Sequence, residues 1–180
     1  MAPFEVPRMR FPVFVSAPSP DNLNDEQQKS AEIIFGLIKR YKLEWRALGR
    51  SDYPQALPLR EVVRMVRHCS GGIILGFEQV HVTSGTLKRG SGRKRVVTAK
   101  KPLLFPTPWN QIEAGILYAA DLPLLILRES GVTGGVFDIG ATEVYIHDMP
   151  KGDIPDQSKD DLDSVFQNWA ANVRRHYYAD

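Results

Sequence analysis

Short apolar runs alternate along the chain with longer stretches whose apolar residues recur at helical spacing. Residues 11–17, FPVFVSA, read as a buried strand closed by Pro18 and Pro20. From Asp25 to Tyr41, Ala31, Ile34, Phe35 and Ile38 mark one face of a helix. Residues 43–48, LEWRAL, predict a second strand ended by Gly49 and Pro54. Pro58 suits the first turn of a helix reaching about His68, with Val62, Val63 and Val66 inward. The run GGIILGF at 71–77 is continuous and apolar, as in a strand buried on both faces. Thr107 as N-cap and Pro108 behind it open a helix that ends near Asp121. LPLLIL at 122–127 is a further buried strand, and a fifth is expected near Glu143–His147. A last helix covers about residues 158–178, with Phe166, Trp169, Ala170 and Val173 as its apolar stripe. Its early aspartates, Asp160, Asp161 and Asp163, and its late cations, Arg174 and Arg175, both complement the helix dipole.

Strands alternating with helices predict an α/β fold: one three-layer, flavodoxin-like domain over residues 1–180, with a five-stranded, mainly parallel sheet. Ligands of such sheets lie beyond the carboxyl ends of the strands, at the point where strand order reverses. The residues following each strand are therefore the first place to look for a site. Ser16 and Ser19 follow the first, Arg46, Arg50 and Asp52 the second, Glu78 and Gln79 the third, and Glu129 the fourth.

Composition narrows the class. A chain of 180 residues buries a sufficient core without a disulfide or metal staple. Apolar residues at 43% and charged residues at 24% are the balance of a soluble globular protein. No apolar run is long enough to span a membrane, and the first residues lack the pattern of a secretory signal. Cys69 is the one cysteine, so an intrachain disulfide is excluded and a small buried hydrophobe is expected. The four histidines show no ligand spacing, so no metal site is expected. Together these features point to the cytoplasm.

The net charge of +2 conceals an uneven distribution. Lys88, Arg89, Arg93, Lys94, Arg95, Lys100 and Lys101 lie within residues 81–101, a stretch without Asp or Glu. The remainder holds 16 Lys and Arg against 21 Asp and Glu. With Gly85, Gly90, Ser91 and Gly92 interspersed, the segment reads as a flexible, solvated loop insertion. Such a positive field attracts the phosphates of a nucleotide or of nucleic acid, or is simply a solvated surface. The glycine-rich segment at 131–140, GVTGGVFDIG, fits no phosphate-binding fingerprint and is expected to be a mobile loop.

The chemistry concentrates in TPWNQIEAGILYAADLPLLIL, residues 107–127. Glu113 is the sixth helical residue, too deep for a capping-box carboxylate. Its neighbours one turn away are Trp109, Ile116 and Leu117. A carboxylate there either faces solvent or sits at the edge of the buried stripe, where desolvation demands a partner or a role. Gly115 is expected to let another group approach the helix closely.

The spacing W-N-Q-I-E, Trp109 to Glu113, resembles the W-C-x-x-E element of Toll/interleukin-1 receptor (TIR) domains, with Asn110 in place of the cysteine. The layout of VFVSAPSP, CSGGIILGF and the helix bearing E-A-G-x-x-x-A is similar to that of nucleoside 2-deoxyribosyltransferases. The resemblance spans roughly residues 11–147 and implies a flavodoxin-like fold with the helix glutamate serving at an anomeric carbon. It implies cleavage or transfer at the N-glycosidic bond of a nucleotide, with NAD as substrate rather than cofactor, by a hydrolase or glycosyltransferase. By analogy, the product or substrate would be a nucleotide signal in antiviral defence, and a homo-oligomer or effector protein would be the partner.

Under that resemblance Glu113 is the catalytic carboxylate and Glu78 the second one. Ser16, Ser19, Arg46, Arg50, Trp109 and Asn110 are the candidates for substrate binding. Each has a plainer alternative: turn hydrogen bonds for the serines, solvated side chains for the arginines, and core packing for Trp109. Two other classes remain open at this point. One is a nucleotide sensor without turnover, and the other a nucleic-acid-binding module acting through Lys88–Lys101. Neither involves a membrane.

Overall fold

The computed structural model describes residues 10–48, 57–152 and 156–179. Its centre is a five-stranded, all-parallel sheet of order β2-β1-β3-β8-β9. The strands are β1 (Phe11–Ser16), β2 (Leu43–Arg46), β3 (Gly72–Gly76), β8 (Leu124–Arg128) and β9 (Ile146–Asp148). Four helices flank them: α1 (Asp25–Arg40), α2 (Pro58–Val66), α3 (Pro108–Ala119) and α4 (Asp156–Ala179). This is the flavodoxin-like α/β arrangement that the alternation predicts, and its strand order reverses between β1 and β3.

Period-two alternation divides the apolar strands between two cores. Val13, Val15, Ile73, Leu75, Leu125 and Leu127 face α1 and α4, meeting Ile34 and Ile38 of α1 and the Phe166, Trp169 and Val173 stripe of α4. Phe14, Ile74 and Ile126 face the other way, against Val62, Met65 and Val66 of α2 and Ala114 and Leu117 of α3. Three layers follow from side-chain direction alone. Close packing also depends on absent side chains. A Cβ at Gly72 would lie 2.7 Å from a Leu117 methyl group, and one at Gly71 2.5 Å from Val173. Among the described residues, no helix is long and apolar enough to cross a membrane.

The boundaries shift where backbone groups are already committed. Leu122 belongs to the turn that closes α3, its N–H donating to the Leu117 carbonyl, and β8 begins only after Pro123. The Pro123 carbonyl accepts from both the Gly72 N–H and Trp169 Nε1, each at 3.0 Å. β9 starts at Ile146 rather than near Glu143, because the Thr142 hydroxyl accepts from the Val144 N–H and holds a bend there. β2 ends at Arg46, and the second helix stops at Val66.

The largest correction concerns residues 80–105. The basic segment is carried on antiparallel strand pairs rather than on an irregular loop. β4 (Val80–Val82) pairs with β7 (Leu103–Phe105), and β5 (Gly85–Leu87) pairs with β6 (Arg95–Val97). The aliphatic residues on either side of the cationic turn, Val80, Val82, Leu87, Val96, Val97 and Leu103, are good strand formers. Glycines and charge mask that signal in the sequence.

Candidate functional site

The site is assembled at the carboxyl edge of the sheet by the start of α3. Thr107 is the N-cap, its hydroxyl accepting from the Asn110 N–H at 3.2 Å, and Pro108 occupies the first turn. Capping fixes the phase of the helix, so that Asn110, Glu113, Ala114 and Leu117 are its buried positions. That is an i, i+3, i+4, i+7 stripe with two polar members. Asn110 and Ser16 are both about 1% exposed. Asn110 Nδ2 donates to Ser16 Oγ at 2.8 Å and lies 3.4 Å from the carbonyl oxygens of Ser16 and Leu75. One amide thus ties α3 to the ends of β1 and β3, the strands flanking the reversal point.

Glu113 lies one turn further along the same stripe and is 8% exposed, which removes the solvent-face reading. Trp109 is 43% exposed, so it is not a core tryptophan. Gly115 has no atom within 4 Å of where its Cβ would be, so nothing in the described chain exploits the expected close approach there. Ser19 is exposed and caps nothing with its side chain. Arg46 is half-buried at the end of β2, with Nη2 3.6 Å from the Glu44 carboxylate. Arg50 and Asp52 lie outside the described residues.

Glu78 stands two residues beyond β3, and its carboxylate is 2.8 Å from His81 Nδ1. A further carboxylate, Glu129 at the end of β8, holds this corner together. It accepts from the Glu78 N–H and, at 2.8 Å, from Gln27 Nε2. Gln27 also donates to the Glu78 carbonyl at 3.1 Å while its Oε1 completes a capping box with Asn24. The N-x-x-Q spacing announces the cap, but the reach of Gln27 across the sheet edge has no sequence signal. A cavity of about 210 Å³ opens beside this corner, with Glu26, Ser30, Glu78, Glu129 and Lys151 in its wall. A wider opening of about 540 Å³ lies between β9 and α4; it shares Lys151 with the smaller cavity but touches none of the candidate site residues.

The 131–140 segment also departs from expectation, because it is fastened rather than loose. Gln111 Nε2 donates to the Gly134 carbonyl and Gln111 Oε1 accepts from the Val136 N–H, both at 3.0 Å. Arg128 donates to the Phe137 carbonyl. Phe137 is fully buried against Gly76, where a Cβ would come within 2.4 Å of its ring.

Among the described residues no group of three or more His, Cys, Asp or Glu is arranged to hold a metal ion. No protein-family model matches the chain, and no curated protein does.

Proposed function

We propose that this protein cleaves the N-glycosidic bond of a nucleotide, with NAD as the favoured substrate and Glu113 as the reacting carboxylate. The observation that supports it best is the placement of Glu113. It is a buried carboxylate in the apolar stripe of the helix that Asn110 pins to β1 and β3. Breaking an N-glycosidic bond leaves positive charge on the anomeric carbon, and a carboxylate out of water stabilises that charge or bonds to the carbon.

The other two carboxylates bear on the choice of substrate. Glu78 is engaged with His81, and Glu129 with Gln27 and the Glu78 N–H. Both are thus already hydrogen-bonded within the protein, whereas many departing bases require an acid to protonate them. Nicotinamide needs none, because its ring nitrogen is already cationic in NAD. It takes the bonding electron pair and leaves neutral. Water then supplies hydroxide to the anomeric carbon and releases a proton. A purine or pyrimidine leaving group would need a proton donor.

The test is incubation of the protein and its Glu113→Gln variant with NAD and with a panel of nucleosides and nucleotides. Products are followed by mass spectrometry at low and high protein concentration. Nicotinamide release that falls by ~100-fold or more in the variant is the expected result. Equal turnover by the variant overturns the role of Glu113. Absence of turnover at every concentration, with intact nucleotide retained, replaces cleavage by nucleotide sensing.

A further inference from the structure

We propose that the β4–β7 ribbon is a docking arm for double-stranded DNA. The arm leaves the sheet after Glu78 and returns at Thr107, and the Gln79 N–H closes its base on the Phe105 carbonyl at 2.9 Å. Its outer turn is a defined structure. The Ser91 hydroxyl donates to the Lys88 carbonyl at 2.8 Å and accepts from the Arg93 N–H at 3.3 Å, and Lys88 and Gly90 have positive φ. Five cations crowd that turn: Lys88, Arg89, Arg93, Lys94 and Arg95. All five are exposed, and none pairs with a carboxylate among the described residues. Lys100 and Lys101 add two more at the second turn, where Thr98 bridges to Lys101.

Concentrated, unneutralised charge selects a polyanion, and the remaining features select its kind. Three arginines provide forked donors suited to phosphate oxygens. Two strands about 4.8 Å apart, with their side chains, match the roughly 12 Å major groove of B-form DNA. Residues 81–101 contain no Phe, Tyr or Trp, which removes the stacking platform that single strands require. The turn KRGSGRK carries no apolar side chain to enter a lipid interface. The deep, narrow major groove of A-form RNA does not admit such a ribbon. This inference is independent of any reaction at Glu113.

The experiment is fluorescence anisotropy with a labelled 20-base-pair DNA duplex over a salt series. The wild-type chain is compared with a variant carrying Lys88→Gln, Arg89→Gln, Arg93→Gln, Lys94→Gln and Arg95→Gln. If each tip cation displaces one counterion, log K falls with log salt at a slope of about −4.5, or roughly 500-fold between 50 and 200 mM. The expected result is that slope in the wild type and loss of binding in a variant whose melting temperature is unchanged. An unfolded variant is replaced by the Arg89→Gln, Arg93→Gln pair, expected to lower the slope by about 2. No duplex binding at 50 mM salt overturns the proposal, as does equal binding by the folded variant. Tighter binding to duplex RNA, to single strands or to phosphatidylserine vesicles than to duplex DNA overturns it equally.

Discussion

Replacing Asn110 by alanine tests whether one buried amide holds α3 on the sheet. The substitution removes the 2.8 Å donation to Ser16 Oγ and the longer approaches to the Ser16 and Leu75 carbonyls. It also removes the 3.3 Å bond that Asn110 Oδ1 accepts from the Thr107 hydroxyl, but the capping bond itself remains, because Thr107 accepts from the backbone N–H of residue 110. Water has little access to a position 1% exposed, so Ser16 Oγ is left without its partner. Such a loss costs about 2 kcal/mol, within a range of roughly 1–3. At ~2.1 cal/mol/K of unfolding entropy per residue, a chain of 180 residues changes stability by about 0.4 kcal/mol per degree near its midpoint. The melting temperature should therefore fall by about 5 °C. Thermal and urea denaturation followed by circular dichroism measure this directly. The decisive control is the double-mutant cycle with Ser16→Ala. A shared hydrogen bond makes the two losses sub-additive by about 1 kcal/mol. A melting temperature within 1 °C of wild type, or strictly additive losses, would refute the bracing role and with it the account of how Glu113 is positioned.

Two further outcomes follow from packing and from titration. Gly76→Ala places a Cβ within 2.4 Å of the Phe137 ring and should destabilise the fold by about 1–3 kcal/mol. Adding Phe137→Leu should recover part of that loss, and a fully stable single variant would show the 134–137 turn to be free to move. His147 on β9 has its pKa held below the ordinary 6.5, first by burial, against an opposing effect of Asp148. The neutral ring is thus favoured in the folded state. Its contribution is complete above the unfolded value and is lost as pH falls through the lower folded one. A His147→Asn variant should show a flatter loss of stability on acidification below about pH 6.5, and an unchanged pH profile would contradict the burial effect.

The sheet was legible because its strands are apolar on both faces. Val13-Phe14-Val15 and Ile73-Ile74-Leu75 can be satisfied only between two layers. The α3 start was legible as well, since Thr-Pro is a local capping signal. What could not be read were features depending on distant partners. Nothing near Gln27 announces a bond to Glu129, 102 positions away. Nothing in GVTGGVFDIG announces that Gln111 will hold it and Gly76 receive Phe137. The ribbon was hidden for a different reason. Its strands are three residues each, interrupted by turns, and too short for period-two alternation to register.

The ribbon and the carboxylate site meet at one edge for a topological reason. In a parallel sheet each strand leads into its helix at the carboxyl edge, so an insertion there need not disturb either core. An insertion between β3 and α3 has its two ends at the end of one central strand and at the start of the helix bearing Glu113. The Gln79–Phe105 bond brings those ends together, so the long insertion closes locally as a short one would. Beyond its base the arm touches the rest of the chain at Leu104, which bridges to Val132, and the Thr133 N–H donates to the Leu104 carbonyl. The arm is thereby joined to the turn that Gln111 holds, two residues before Glu113. The base of the arm is thus connected to α3 both through the chain leading into its cap and through this turn. Sheet topology therefore attaches a basic arm directly before the start of α3.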